Sequence, residues 1–320
     1  MKEYDLGRRT WLEINLDKMI KNIEVIRRNM KDETAFCAIL KANGVGHGSS
    51  IVAKVLDEID TVDMFGVACP EEAYELRAAG VQKPILIIGY SDPAAAAYLE
   101  AYDIAQCCYS LEYAKKLDAA FAGTDKKLKV HIKIDTGLSR LGIFAQRECD
   151  FDAAMSEILE ILTLPHLEFE GIFTHFANAY EIDRSFTDQQ YTRFMKIVNA
   201  LEEKGITFQY VHCNNSPGGS YHPDKQCTMA RSCTTLSGYP MDPARPILGL
   251  EPVVEWKTKV VQIKKLPVGA TVSYGCTYKV EKPMKIAVLS VGYADGLFKN
   301  LQGKMSVLIN GKRAKSIGSM

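Results

Sequence analysis

The chain has 320 residues, 47% of them hydrophobic, and its 39 Lys and Arg residues balance 39 Asp and Glu residues. This length and apolar content suffice for one large barrel or two domains, and they exclude fibrous and disordered classes. Because the formal net charge is zero, nucleic acid and anionic membranes are not expected as partners.

The sequence predicts a cytoplasmic protein. Met1–Arg9 mixes charged and polar residues, and no apolar run approaches membrane-spanning length. The nine cysteines lack metal-ligand spacing, and only Cys107 and Cys108 are adjacent. We therefore expect reduced thiols and no bound metal.

A strand and a helix are predicted at the start of the chain. Trp11–Leu16 alternates apolar and polar residues, which is typical of a half-buried strand. Asp17 is predicted to cap the helix that follows, since apolar residues recur at helical spacing from Lys18 to Met30. Residues 1–16 are assigned as an N-terminal strand that packs with a later β domain.

Short apolar runs then alternate with amphipathic stretches. The runs, each predicted as a strand, are Phe36–Leu40, Met64–Ala68, Pro84–Gly89, Ile104–Cys108, Leu128–Asp135, Leu167–His175, Phe208–Cys213 and Thr228–Arg231. The helices predicted between them are Gly48–Asp60, Glu71–Ala79, Ala94–Ala101, Leu111–Phe121, Cys149–Leu162, Thr187–Glu203 and a short one near Gly219. Strands this apolar, alternating with helices, predict a (β/α)8 TIM barrel over residues 17–238.

The pattern changes after the last of these strands. Prolines between Pro240 and Pro252 interrupt the helical rhythm, and Val253–Leu266 alternates as a strand does. Further strands are predicted at Ala270–Ser273, Met284–Val291, Met305–Ile309 and Arg313–Ile317. The pair Asn310-Gly311 predicts a hairpin turn. Residues 239–320 are thus predicted as a mostly β C-terminal domain.

Polar and charged residues cluster where the predicted barrel strands end, which is where TIM barrels place their chemistry. These residues are Lys41, Asp135, Arg140, His175, Asn214, Asn215, Ser216 and Arg231. One end of the barrel is therefore predicted to be cationic, which suits a phosphorylated or carboxylated ligand.

Lys41 follows an apolar strand and precedes a loop that contains Gly44, Gly46 and Gly48. Burial penalises an ammonium, so such a lysine turns outward, is paired, or is held neutral for use as a nucleophile. The glycines allow the backbone to approach a ligand closely. Taken alone, however, a solvated lysine in a plain turn is the more common arrangement.

The other candidates also have structural alternatives. Arg140 offers a fixed fork of donors either to a ligand oxyanion or to Asp135. A lone His175 is more often a core histidine, and a lone Tyr274 is more often a surface tyrosine. The run His212–Ser216 leads into a turn that is able to present N–H groups and a hydroxyl to a phosphate.

Considered together and in order, these residues resemble the alanine racemase family of fold-type III pyridoxal-phosphate enzymes. The matching blocks cover nearly the whole chain. They are Lys-Ala-Asn-Gly-x-Gly-His-Gly (41–48), Lys-x-Asp-Thr-Gly-x-x-Arg-Leu-Gly (133–142), Gly-x-x-Thr-His-Phe-Ala (171–177), Gln-Tyr-x-Arg-Phe (190–194), His-Cys-x-Asn-Ser (212–216), Met-x-Arg (229–231), Val-Ser-Tyr-Gly-x-Thr-Tyr (272–278) and Gly-Tyr-Ala-Asp-Gly (292–296).

The resemblance implies a cofactor, two bases and a homodimer with shared active sites. Lys41 would hold pyridoxal 5'-phosphate and serve one face of the amino acid, and Tyr274 of the partner subunit would serve the other. His175 and Arg231 would lower the proton affinity of that phenol. Arg231 would also donate to the pyridine nitrogen.

Further roles follow from the same resemblance. Arg140 would contact both the cofactor and the substrate carboxylate, Lys133 occupies a position that is carbamylated in the family, and Tyr293 would line the substrate entrance. The phosphate would be held by Asn215, Ser216, Cys233 and Thr234. The chain departs from the family pattern at Val45, at Cys233 and by an earlier C-terminal end, as a truncated member would.

The activity implied is interconversion of L-alanine and D-alanine, which supplies D-alanine for cell-wall peptidoglycan. A serine or broad-specificity racemase is the alternative of the same class. An inactive relative that only binds the cofactor is the alternative of another class. A decarboxylase is disfavoured, because that group places a carboxylate where this chain has Arg231.

Overall fold

The computed structural model describes residues 7–239, 242, 244–247 and 249–319. Two compact units make up the chain: the described part of Met1–Ile14 with Val254–Met320, and Asn15–Val253. In the ranges described, no helix has the length and apolar character needed to cross a membrane.

Strands and helices alternate through the larger unit and give way to strands in the smaller one. In chain order the strands are β1 (Thr10–Ile14), β2 (Ala35–Ile39), β3 (Met64–Val67), β4 (Ile85–Ile87), β5 (Ile104–Cys108), β6 (Leu128–Asp135), β7 (Ile143–Phe144), β8 (Leu167–Phe173), β9 (Tyr210–His212), β10 (Met229–Ser232), β11 (Val254–Thr258), β12 (Val260–Leu266), β13 (Thr271–Val272), β14 (Tyr278–Lys279), β15 (Met284–Leu289), β16 (Ser306–Ile309) and β17 (Lys312–Lys315). The helices are α1 (Leu16–Arg27), α2 (Lys41–Gly46), α3 (Ser49–Asp57), α4 (Pro70–Ala78), α5 (Ala96–Ala101), α6 (Leu111–Ala119), α7 (Phe151–Ile161), α8 (Ser185–Glu202) and α9 (Ser216–Tyr221).

The larger unit, Asn15–Val253, is a parallel barrel. Its strands lie in the order β10-β2-β3-β4-β5-β6-β8-β9, with β7 paired to β6. Between the two end strands, the Thr228 hydroxyl accepts the Val211 N–H at 2.7 Å and donates to the Gln209 carbonyl at 3.0 Å. Every apolar run predicted as a barrel strand forms one, and the predicted TIM barrel is confirmed.

The smaller unit consists of antiparallel pairs: β1 with β11, β12 with β15, β13 with β14, and β16 with β17. The last pair is closed by Asn310 and Gly311, whose φ values are 49° and 75°. Both residues tolerate this left-handed backbone, which the tight hairpin turn requires. The predicted mostly β C-terminal domain is confirmed.

The predicted cap of the first helix is wrong by two residues. α1 begins at Leu16, and the Asn15 side chain accepts the Lys18 N–H at 2.9 Å. Asp17 lies in the first turn instead, where its carboxylate still interacts favourably with the helix dipole. Asn15 and Asp17 are both good capping residues, and the helix starts after the first of them.

Asn22 ties α1 to the segment that follows the barrel strands. The side chain is fully buried. Its Nδ2 donates to the carbonyls of Leu236 at 3.1 Å and Glu251 at 2.9 Å, and its Oδ1 accepts the Glu251 N–H at 2.8 Å. These bonds satisfy three backbone groups and fasten Glu251 within the barrel unit.

We expect Asn22→Ala to lower the free energy of unfolding by about 2–3 kcal/mol, because it leaves buried backbone groups without partners. Urea denaturation would measure the change. Asn29→Ala is the matched control, since Asn29 is exposed and its side chain bonds only the Val25 carbonyl among the described residues, at 3.3 Å; its cost should stay below about 0.5 kcal/mol. Equal costs for the two variants would contradict the role given to Asn22.

Candidate active site

Lys41 opens a left-handed turn at the end of β2. Ala42, Asn43 and Val45 have φ values of 54°, 55° and 55°. Each such residue costs about 1–2 kcal/mol, and only glycine adopts this backbone freely. The loop predicted here from its glycines is therefore strained at non-glycine positions too, as backbones at functional sites often are.

Hydrogen bonds from outside the turn hold it in place. The Ala42 N–H donates to Glu72 Oε1 at 2.6 Å, and Asn43 Oδ1 accepts the Ser49 N–H at 2.9 Å. The other Glu72 oxygen accepts the Ala68 N–H at 2.7 Å. One carboxylate thus links the Lys41 turn to the end of the neighbouring strand β3.

Two cations are buried inside the barrel near the aromatic ring of Phe173. Lys133 on β6 and Arg231 on β10 are each 3% exposed. Lys133 Nζ lies 5.4 Å and Arg231 Cζ 5.3 Å from the Phe173 ring centroid. Neither forms an ion pair with any residue that the structure describes. Burial lowers the pKa of both side chains, because it disfavours their charged forms.

The Arg231 guanidinium is fixed by neutral partners on β9 and just beyond β8 and β9. Its Nη1 bonds His212 Nδ1. Its Nη2 donates to the Thr174 carbonyl at 3.0 Å, His175 Nδ1 at 3.2 Å and the Cys213 carbonyl at 3.4 Å. A permanent cation thereby sits at the carboxyl ends of the strands, held in one orientation.

His175 lies among the cations. Its pKa is well below the ordinary histidine value, first because of burial and then because of the charges of Arg231, Arg140, Lys133 and Lys41. The imidazole is therefore neutral near pH 7. The sequence-predicted candidates Lys41, Lys133, Arg140 and Arg231 thus influence a single imidazole.

Asp135 does not pair with Arg140. Its Oδ1 accepts the backbone N–H groups of Gly137 at 3.1 Å, Leu138 at 3.0 Å and Ser139 at 3.0 Å. Arg140 is exposed, and no ion pair joins it to a residue in the described ranges. Its guanidinium is thus available to an anionic ligand.

The predicted phosphate-binding residues have separate tasks. Asn215 uses its side chain to cap α9, accepting the Gly218 N–H at 3.0 Å and donating to the Phe176 carbonyl at 3.0 Å. The Ser216 hydroxyl accepts the Cys233 N–H at 2.8 Å. Burial raises the pKa of the Cys233 thiol and the Lys41 charge opposes this. Thr234 begins a 3-10 turn.

Tyr274 and Tyr293 belong to the smaller unit. Tyr274 is 81% exposed and Tyr293 is 63% exposed. Each begins a 3-10 turn, and Tyr274 follows Ser273, whose φ is 66°. Both phenol rings are accessible on this protomer.

Sequence reasoning assigned no role to several side chains that contact Arg231 or its partners. Phe173 stacks on His212 with ring centroids 4.6 Å apart, and His131 Nδ1 lies 2.9 Å from His212 Nε2. For His131, the sequence does contain an indication that it lies near the site. His131 and Lys133 are two apart on one strand, so they face the same side, and Lys133 was already a candidate.

The fold and this site define a class, that of barrel enzymes with a cationic site for an anionic ligand at the strand ends. Family models assign the chain more narrowly. Residues 14–240 match the alanine racemase N-terminal domain and residues 253–320 match the alanine racemase C-terminal domain. The chain belongs to the alanine racemase family.

Individual relatives agree with this assignment. Alanine racemase 2 of Caldanaerobacter subterraneus is 38% identical over 98% of this chain and 80% of its own length. The alanine racemase of Desulforamulus reducens is 39% identical over 96% of this chain and 82% of its own length. The structure of Clostridium difficile alanine racemase superposes with a TM-score of 0.89 at 33% identity, covering 98% of this chain and 81% of that one.

Lys133→Met should raise the free energy of unfolding at pH 7 by about 1–2 kcal/mol, because it removes a buried, unpaired charge. The folded-state pKa of Lys133 is lowered from 10.5, so the wild-type protein carries the full penalty at low pH. That penalty fades as pH rises through the lowered pKa. Urea denaturation at pH 7 and pH 10, in buffer depleted of carbon dioxide, should show a gain that shrinks at pH 10.

The matched control for this prediction is Lys129→Met on the same strand. Lys129 pairs with Asp103 at 2.8 Å, so its removal should give no gain in stability at either pH. A loss of stability for Lys133→Met at pH 7 would contradict the burial argument.

Proposed function

We propose that this protein interconverts L-alanine and D-alanine with pyridoxal 5'-phosphate held at Lys41, and that its product is D-alanine for peptidoglycan. The observation that carries the proposal is the pair of buried cations at the strand ends: Arg231 bonds His175 Nδ1 at 3.2 Å and shares the Phe173 ring with Lys133, and neither cation has a carboxylate partner among the described residues. Such a site fits a ligand with phosphate, phenolate and carboxylate groups. Membership of the alanine racemase family supports the same reaction.

Pyridoxal phosphate, when bound, supplies an electron sink that makes the Cα proton of an amino acid removable. Within this chain, Lys41 is the attachment residue. Arg231 would donate to the ring nitrogen without giving up its proton, because a guanidinium stays charged. That property disfavours side reactions that need a protonated ring. Arg140 would bind the substrate carboxylate and the cofactor's phenolic oxygen.

Racemisation needs a proton acceptor on one face and a donor on the other, since a single base returns the proton to its original side. We assign Lys41 to one face and Tyr274 of the partner subunit to the other, so the active unit is a homodimer. The 81% exposure of Tyr274 leaves its hydroxyl accessible to a second subunit. His175, bonded to Arg231 at 3.2 Å, conveys the positive charge that lowers the proton affinity of the phenol.

Lys133 is proposed to be carbamylated. Carbon dioxide adds to a neutral amine with release of a proton, and burial lowers the pKa of Lys133, which favours the neutral form. The carbamate is an anion, so it would offset the charges of Arg140 and Arg231. A carbamate on Lys133 would replace an unpaired buried cation with an anion that pairs with both arginines.

The phosphate is proposed to bind the Ser216 hydroxyl and the backbone N–H groups of Cys233 and Thr234. The bond from Cys233 N–H to Ser216 at 2.8 Å supports their proximity, and Asn215 positions the turn. Tyr293 is proposed to line the substrate entrance. The cytoplasmic location stays a prediction from the sequence.

Circular dichroism of L-alanine solutions tests the activity. Purified protein with pyridoxal phosphate should convert L-alanine to D-alanine and D-alanine to L-alanine at comparable rates. It should turn over L-serine more slowly. Lys41→Ala should abolish both the turnover and the absorbance of bound cofactor, whereas Lys54→Ala, on α3, should change neither. Carbon dioxide release would indicate a decarboxylase, and a colourless wild-type protein would contradict the cofactor assignment.

Tyr274→Phe should reduce kcat by at least about a hundredfold in both directions, since it removes the proton carrier on one face. Bound-cofactor absorbance should persist, because Lys41 is intact. Tyr74→Phe is the control, as Tyr74 is likewise exposed, at 53%, but lies on α4. Unchanged turnover in Tyr274→Phe would show that a different residue serves the second face.

A further inference from the structure

A line of side chains runs from Arg231 through the barrel interior to Glu170. His212 Nδ1 contacts Arg231 Nη1, and His212 Nε2 lies 2.9 Å from His131 Nδ1. His131 Nε2 lies 3.9 Å from Glu170 Oε2 and has no hydrogen-bond partner among the described residues. Both histidines are fully buried. The line therefore connects the active-site arginine to a carboxylate on β8.

The chemistry of the two ends fixes the proton positions between them. Arginine only donates, so His212 Nδ1 must accept. Burial is the main cause that lowers the pKa of His212 and of His131, so each ring carries one proton. In His212 the proton lies on Nε2, and this N–H donates to Nδ1 of His131. His131 therefore carries its own proton on Nε2, which faces Glu170 Oε2 at 3.9 Å, a distance at which the carboxylate attracts the N–H electrostatically without a direct hydrogen bond.

The acidic end is held ionised. Burial alone would raise the pKa of Glu170, but His131 and Lys129 outweigh burial and lower it. Lys129 Nζ lies 3.4 Å from Glu170 Oε1 and 2.8 Å from Asp103 Oδ1. The line thus begins at a cation and ends at an anion, which favours one direction of donation throughout.

Packing also fixes the two imidazoles. Phe173 lies parallel to His212 with an interplanar angle of 3°, and Tyr210 stacks on His131 with centroids 5.7 Å apart. A Cβ atom at Gly171 would come within 2.4 Å of His131 Nδ1. Only glycine therefore leaves room at this position for His131 to reach His212.

We propose that His131 and Glu170 are positioning residues that act through His212. They hold His212 in the tautomer that carries its proton on Nε2, so that the lone pair on Nδ1 keeps the Arg231 guanidinium in place. In the other tautomer, two N–H groups would face each other and Arg231 would be displaced. This inference rests on the proposed function for its catalytic consequence, but not for the tautomers themselves.

Nitrogen NMR of the full chain without cofactor, labelled with 15N-histidine, tests the tautomers directly. The sequence contains six histidines, and single substitutions assign the signals of His131 and His212. Between pH 7 and pH 8 we expect an acceptor-type shift at Nδ1 and a donor-type shift at Nε2 for both residues. The reverse pattern, or a doubly protonated ring, at either residue would overturn the proposal.

A pair of substitutions separates positioning from packing. His131→Asn puts an amide oxygen where Nδ1 was and should keep kcat within about threefold, whereas His131→Leu removes the acceptor and should lower kcat by roughly tenfold or more. In His131→Leu the His212 Nε2 signal should also shift, while KM changes little. His166→Asn, which removes a partly exposed histidine paired with Asp118, should leave kcat unchanged.

Other outcomes decide the question as well. Equal losses of kcat in His131→Asn and His131→Leu, with the His212 signals unchanged, would overturn the proposal in favour of a packing role. If His131→Leu does not fold, Glu170→Met replaces it: a shifted His212 signal and a lower kcat support the proposal, and an unchanged protein contradicts it. A wild-type protein without racemase activity would contradict the proposed function, and the NMR spectrum would still test the tautomers.

Discussion

The buried guanidinium of Arg231 is the interaction on which the rest of the site depends. A charge in the barrel interior is costly unless its donors are satisfied, and here they bond two backbone carbonyls and two imidazoles. Those partners come from β9 and from the residues directly after β8 and β9. Arg231 therefore fixes the relative positions of three strand ends and places a permanent cation where an anionic ligand would be most stabilised.

The stability of the barrel is reduced at this end in two further ways. Lys133 is buried without a carboxylate partner in the described part of the chain, and the turn after Lys41 holds three non-glycine residues in the left-handed region. Both features lower the stability of the protein without ligand. Binding of an anion would relieve the first, and the hydrogen bonds that Glu72 accepts from Ala42 and Ser49 donates to Asn43 maintain the second. This pattern is typical of an active site in which stability is exchanged for function.

The fold could be predicted from the sequence because each barrel strand is a short run of apolar residues buried on both faces. Phe36, Leu86 and Val130, from three such runs, are all fully buried. Because the parallel strands of such a barrel all end on one face, the barrel also predicts that the polar residues after these strands lie at the same end. The cap of the first helix, Asn15, was missed by two residues, because two good capping residues lie close together and local sequence does not choose between them.

The details of the site depended on contacts between distant residues. His131 and His212 lie 81 positions apart, and no local pattern indicates that their rings meet. The left-handed turn was visible only in part, since its glycines suggested a loop whereas the conformation of Ala42 depends on Glu72, 30 residues away. The grouping of Glu251 with the barrel through Asn22 is a long-range effect of the same kind.

Chemical trapping decides whether Lys41 is the residue that holds pyridoxal phosphate. The protein would be mixed with pyridoxal 5'-phosphate, reduced with borohydride, digested with trypsin and mapped by mass spectrometry. We expect one pyridoxyl group per chain, on Lys41, with Lys133 unlabelled. A label on Lys133, or one distributed over exposed lysines without enrichment at Lys41, would contradict it.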